Sequence, residues 1–193
     1  MLWSLGLAKA ETQTSEAERA ALARHATGRK RLVEIGVWHG VTTKVLLGAM
    51  AADGILYAVD PYPKGRFGFS AQRAIARREL ARLANGRVQW QRLTGVAAAR
   101  AYPASSGAPV DFIFIDGDHS YEGLRGDWET WNPLVGPGSI IALHDSRSSA
   151  ERQIDDAGSV RFTLEVILPD RRFELVEVVD TLTVLRRREW PMT

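Results

Sequence analysis

The chain has 193 residues, 45% of them hydrophobic and 25% charged, with no cysteine and a net charge of +2. That length suits one domain spanning residues 1–193, with a core large enough to need no covalent staple. The missing cysteines exclude a disulfide framework, a thiolate zinc site and a cysteine nucleophile, and are compatible with a cytoplasmic location. The small charge surplus gives little reason to expect nucleic acid as a partner. No apolar run reaches the roughly 18 residues that a membrane span needs. The apolar stretch from Met1 to Leu7 reads as too short for a signal peptide.

Residues 1–28 read as an N-terminal arm and helix. The arm, to about Glu11, reads as loosely ordered. Ser15 to His25 is a helix rich in Ala, Glu and Arg, and Ser15 with Glu18 makes a capping box. Leu32 to Ile35 is a short buried strand, followed by a helix from Val41 to Met50. Ile55 to Val59 is a second strand, and Ser70 to Leu83 a helix that turns Arg73, Arg77, Arg78 and Arg82 outward. Val88 to Leu93 is a third strand, leading into the Ala-rich Val96 to Ala101. Val110 to Ile115 is a fourth, almost wholly apolar strand. Tyr121 to Trp131 is helical, with Ser120 or Asp118 as its cap. Gly136-Pro137-Gly138 predicts a turn into a fifth strand, Ser139 to Leu143. Val160 to Leu168 reads as the last helix. Phe173 to Val178 and Leu182 to Arg186 alternate around Asp180-Thr181 as a terminal hairpin. Inner strands apolar on both faces require helices on both sides. The alternation therefore predicts an α/β doubly wound, Rossmann-like sheet, mostly parallel, with the antiparallel hairpin adding a strand at one edge.

In such a sheet the ligand crevice lies outside the carboxyl ends of the strands. The first strand ends in Glu34-Ile35-Gly36-Val37-Trp38-His39-Gly40-Val41-Thr42, the second in Asp60-Pro61-Tyr62. The fourth ends in Asp116-Gly117-Asp118-His119, the fifth in His144-Asp145-Ser146. Polar residues thus finish four apolar strands on one edge. Gly36 permits a sharp turn, and Gly40 permits close approach of a ligand to the backbone. Asp60, at the end of the second strand, suits the hydroxyls of a ribose. Glu34 adds negative charge that favours a positively charged nucleoside over a pyrophosphate. The G-x-x-x-G spacing is not that of nicotinamide binders, since Trp38 stands at the middle glycine. A non-catalytic nucleoside- or RNA-binding module using the arginine-rich helix is the alternative from a different class.

Val33-Glu34-Ile35-Gly36, Gly40 and Thr42, then Val59-Asp60, Phe114-Ile115-Asp116-Gly117-Asp118-His119-Ser120-Tyr121 and His144-Asp145 carry a family likeness. They resemble class I S-adenosylmethionine-dependent methyltransferases, above all the cation-dependent O-methyltransferases acting on sugars of antibiotics and polysaccharides. The resemblance implies a seven-stranded sheet, with S-adenosylmethionine on Glu34, Gly36, Trp38, Gly40, Thr42, Asp60 and Asp116. It implies Mg²⁺ (or Mn²⁺) on Asp116 and Asp145. Relatives carry an oxygen ligand where His144 stands, which leaves His144 as the expected general base. Asp118, His119 and Tyr62 are expected to face the acceptor, a sugar or oligosaccharide; a catechol or small phenol remains an alternative. Tyr62, Phe67 and Phe69 around Lys64-Gly65-Arg66 read either as an acceptor lid or as an exposed loop. Trp128 and Trp131 read as core or interface, and the N-terminal arm leaves a homodimer open.

Overall fold

The structure is a computed structural model that describes residues 10–65, 68–83, 87–102 and 108–189. Seven strands form one sheet: β1 (Arg31–Ile35), β2 (Ile55–Val59), β3 (Val88–Gln91), β4 (Val110–Ile115), β5 (Val135–Leu143), β6 (Phe173–Val179) and β7 (Leu182–Arg187). Their spatial order is β3-β2-β1-β4-β5-β7-β6. The first five run parallel, and β7 is antiparallel to both β5 and β6.

The two-sided apolar strands are explained by what covers them. Leu32, Leu56, Phe112, Phe114 and Ile140 face one core, under α1 (Glu16–Ala26), α2 (Val41–Ala49) and α3 (Ala71–Leu80). Val33, Ile35, Ile113, Ile115 and Ile141 face the other, under α4 (Gly95–Ala101), α5 (Tyr121–Trp131) and α6 (Gly158–Phe162). Each parallel strand therefore buries both its faces, as covered sheets require. The strand order reverses between β1 and β4, and this is where the loops part to leave a crevice.

The capping box of α1 is present: the Ser15 hydroxyl accepts from the Glu18 amide, and the Glu18 carboxylate accepts from the Ser15 amide. Three expectations change. β5 begins at Val135, so Gly136-Pro137-Gly138 lies within the strand as an irregularity rather than before it. Pro109 packs where a Gly136 side chain would stand, 2.6 Å away, so the chain there needs a glycine. The hairpin adds two strands, not one, because β7 inserts between β5 and β6. The last helix is shorter than expected, with α6 passing into a π turn over Thr163–Ile167. Trp128 and Trp131 are buried core residues and offer no surface to a second copy. No helix among the described residues is long and apolar enough to cross a membrane.

Candidate active site

The loop leaving β1 is shaped by Gly36. Its φ is +87°, and a Cβ there would stand 1.9 Å from the Asp116 carbonyl oxygen. The bare backbone lets the β1 and β4 loops touch. Gly36→Ala is expected to cost about 3 kcal/mol or more through strain and collision, a fall in Tm of at least roughly 6 °C by calorimetry. An unchanged Tm would refute that contact.

Asp60 organises the same loop. Its Oδ2 accepts from the amides of Val37 (3.1 Å) and Trp38 (3.0 Å), and its Oδ1 accepts from the Tyr62 amide (2.7 Å). Three of the roughly four acceptor positions of a carboxylate are thus filled by backbone, so Asp60 holds the turn as well as lining the cleft where a ribose is expected. Two further expectations are corrected. Gly40 is the N-cap of α2 with φ +77°, and its missing side chain makes room for Ala76 of α3 at 3.2 Å, not for a ligand. Tyr62 is 1% exposed, and its hydroxyl donates to the Trp38 carbonyl. It packs under the turn, out of reach of an acceptor. Of the other lid aromatics, Phe67 lies outside the described residues and Phe69 is exposed.

Above these turns opens a cleft of about 740 Å³. Among the expected residues, Gly36, Trp38, Thr42, Asp60, Asp116, Asp118 and His119 line it; Glu34, Gly40, Tyr62, His144 and Asp145 do not. Three stretches of wall carried no motif in the sequence: Glu11 to Gln13, Leu93 to Val96 after β3, and Asp127 of α5. The first of these belongs to the arm read as loosely ordered; there His39 Nδ1 accepts from the Glu11 amide at 3.1 Å.

Glu34 sits in β1 with no solvent access, and neither carboxylate oxygen has a hydrogen-bond partner. Burial pushes its pKa well above the carboxylate range, and Asp116 and Asp60 push it further. Burial thus disfavours the negative charge expected beside a sulfonium, and the side chain does not line the cleft. The reason is position: Glu34 points under α2 toward the core instead of into the cleft.

His144, after β5, belongs to an internal ion network. Its ring is 1% exposed, Nδ1 donates to Asp116 Oδ1 at 2.8 Å, and Nε2 lies 3.5 Å from Glu18 Oε2, an ion-pair distance. Burial pushes the imidazole pKa down, but Asp116 and Glu18 outweigh it and raise it to about 10. Burial likewise pushes Glu18 up, but His144, Ser15 and Thr181 hold it at about 2. A sealed imidazolium cannot take a proton from a substrate, which corrects the general-base expectation for His144. The neighbouring His119 is placed for that task. Its ring is 35% exposed, lines the cleft, and holds Nε2 at 3.5 Å from Asp116 Oδ1 and 3.8 Å from Asp145 Oδ2.

The expected metal pair, Asp116 and Asp145, is already neutralised by protein cations: His144 for the first, and Arg152 Nη2, 2.7 Å from Oδ2, for the second. Magnesium takes oxygen ligands and keeps several waters, so both carboxylates would have to give up these cations to hold it. One oxygen and two nitrogens from Asp116, His119 and His144 do lie within 4.8 Å of one another. That donor set suits an ion that accepts nitrogen, such as manganese, once His144 is neutral and gives up its bond to Asp116.

Comparison with known proteins follows the same line. The family described as Methyltransferase domain matches residues 33–146. The protein y4gI of Sinorhizobium fredii, described as uncharacterized, is 27% identical over 125 residues, 63% of this chain; the chain spans 14% of that relative's length. The O-methyltransferase TomG of Streptomyces achromogenes, solved with S-adenosylmethionine, superposes with a TM-score of 0.71 at 16% identity, covering 97% of this chain and 86% of that one. The O-methyltransferase of Bacillus cereus, solved with S-adenosylhomocysteine, gives 0.70 at 20%, covering 96% and 86%. An rRNA methylase of Streptococcus thermophilus gives 0.62 at 13%, covering 93% and 100%. At such identities the likeness is one of fold. The family match takes in more than half of the chain, from β1 through the turn after β5, and the chain belongs to this methyltransferase family, on its seven-stranded Rossmann-like fold.

Proposed function

We propose that this methyltransferase is an S-adenosylmethionine-dependent O-methyltransferase acting on a hydroxyl of a sugar or oligosaccharide. The observation that carries the reading is the convergence of the β1, β2 and β4 ends, with the Leu93–Val96 stretch that follows β3, on one cleft of about 740 Å³. That size lies within the roughly 300 to 1,000 Å³ of small-molecule sites. The residues present fit a nucleoside. Gly36 presents bare backbone, Leu93 and Val96 present apolar surface, and acceptor atoms of Asp60 and Asp127 border the same space. S-adenosylmethionine, when bound, supplies a sulfonium methyl group.

The chain's own residues do the rest. His119 takes the acceptor's hydroxyl proton at Nε2 as the oxygen attacks the methyl carbon and the carbon–sulfur bond breaks. Asp116 and Asp145 stabilise the imidazolium that forms. Base catalysis of this kind is worth about 10²- to 10⁴-fold. Alignment of two reactants supplies roughly 7 to 11 kcal/mol, so the walls of the cleft matter more than the base. The exposed Asp118 beside His119 supports a polyhydroxyl acceptor, as does the resemblance of the Asp116–Tyr121 segment to sugar methyltransferases.

A second reading rests on the clustered ligand atoms of Asp116, His119 and His144. A manganese-like ion held there would lower the pKa of the acceptor hydroxyl. One assay separates the readings: transfer of labelled methyl to sugars, catechols and RNA, with and without EDTA. The expected result is methylation of a sugar hydroxyl that survives EDTA. Activity lost in EDTA and restored by Mn²⁺ supports the second reading. Transfer to RNA or a catechol alone overturns the acceptor, and absence of S-adenosylmethionine binding overturns the function.

A further inference from the structure

The buried stripe of α5 runs Leu124, Asp127, Trp128, Trp131. Helical periodicity calls for an apolar residue at each of these positions, yet the second is a carboxylate, 6% exposed. No residue described in the structure donates a hydrogen bond to it. Its surroundings are cleared for it on two sides. A Cβ at Gly95 would stand 2.1 Å from Asp127 Oδ1, and one at Gly117 would stand 3.3 Å from Oδ2. The side chain lines the cleft, beside Leu93 and Val96.

The remaining carboxylates of the cleft are accounted for. Asp60 accepts three backbone amides, and Asp116 accepts from His144. Glu11, Asp118 and Glu122 are exposed to water. Of the carboxylates that line the cleft, Asp127 alone is buried and has no protein donor among the described residues. A ligand that brings a donor there makes a bond that no side chain supplies. Burial, with a contribution from Asp118, pushes its pKa up to about 6.

We propose that Asp127 accepts a hydrogen bond from the exocyclic amine of the adenine ring and so selects an adenine nucleoside in this cleft. The assignment rests on the S-adenosylmethionine reading above. Aliphatic side chains at Leu93 and Val96 suit a flat ring, and an acceptor beside them suits an amine on its edge. Adenine carries a donor at that position, where hypoxanthine carries a carbonyl acceptor that the carboxylate would repel.

The test is calorimetric binding of S-adenosylhomocysteine and S-inosylhomocysteine to the wild-type protein and to Asp127→Asn, with the unliganded Tm of each. Wild-type protein is expected to prefer the adenine compound by about tenfold or more. In Asp127→Asn the preference should shrink to about threefold or less, because an amide both accepts and donates, while the unliganded Tm rises. A ratio unchanged by the substitution overturns the proposal, and a lowered Tm with that unchanged ratio would instead assign Asp127 to holding α4. Wild-type protein that binds adenine and hypoxanthine compounds equally overturns Asp127 alone. Wild-type protein that binds neither overturns the S-adenosylmethionine reading with it.

Discussion

His144→Leu is expected to destabilise the protein by about 3 to 5 kcal/mol, the usual loss when one partner of a buried ion pair is removed. The substitution keeps much of the volume and strands two carboxylates: Glu18, whose side chain is 2% exposed, and Asp116. A double-mutant cycle with Glu18→Gln should show coupling of roughly 0.5 to 3 kcal/mol. The pH dependence follows from the directions of the shifts. The lowered pKa of Glu18 means its stabilisation is present above its ordinary 4.5 and is lost as pH falls toward about 2. His144 is shifted the other way: its stabilisation is complete below 6.5 and is lost as pH rises through about 10. Stability from this network is therefore greatest between about 4.5 and 6.5. Denaturant titrations across that range and above it should show an alkaline decline in the wild type that His144→Leu lacks. Parallel curves for the two proteins would remove the charged imidazole.

His119→Ala is expected to reduce turnover by about 10²- to 10⁴-fold while leaving the affinity for S-adenosylhomocysteine unchanged. The two histidines separate cleanly because their environments differ. His144 is sealed between two acids, whereas His119 opens onto the cleft above Asp116 and Asp145. Single-turnover methyl transfer isolates the chemical step. Full turnover without His119 would mean that water or the acceptor itself disposes of the proton.

The sheet and the edge that bears the site were legible because their signals are local. Apolar runs, strand-ending acids and the Ser15–Glu18 box are each written within a few residues. Pairings between distant segments were not. Nothing in the neighbourhood of His144 announces Glu18, 126 residues earlier, so the imidazole read as free when it is bound on both sides. Gly40 looked like a ligand contact because glycine serves ligand approach and helix approach equally, and only the position of Ala76 distinguishes them. Tyr62 was misplaced because its left-handed φ of +43° turns the ring inward, a conformation that tyrosine does not advertise. Asp127 was open to reading, since it falls on the apolar period of α5, but a lone acid there resembles any tolerated irregularity.

The tip of the β6–β7 hairpin meets α1 directly. Thr181 donates from its amide (2.9 Å) and its hydroxyl (2.8 Å) to Glu18 Oε1, and Ser15 donates to Asp180 Oδ2 at 2.5 Å. These bonds join segments up to 165 residues apart, and the same Glu18 braces His144. Loops closed over so many residues cost entropy that local turns do not, so one carboxylate, Glu18, holds the hairpin tip, the first helix and the imidazole behind the cleft in register.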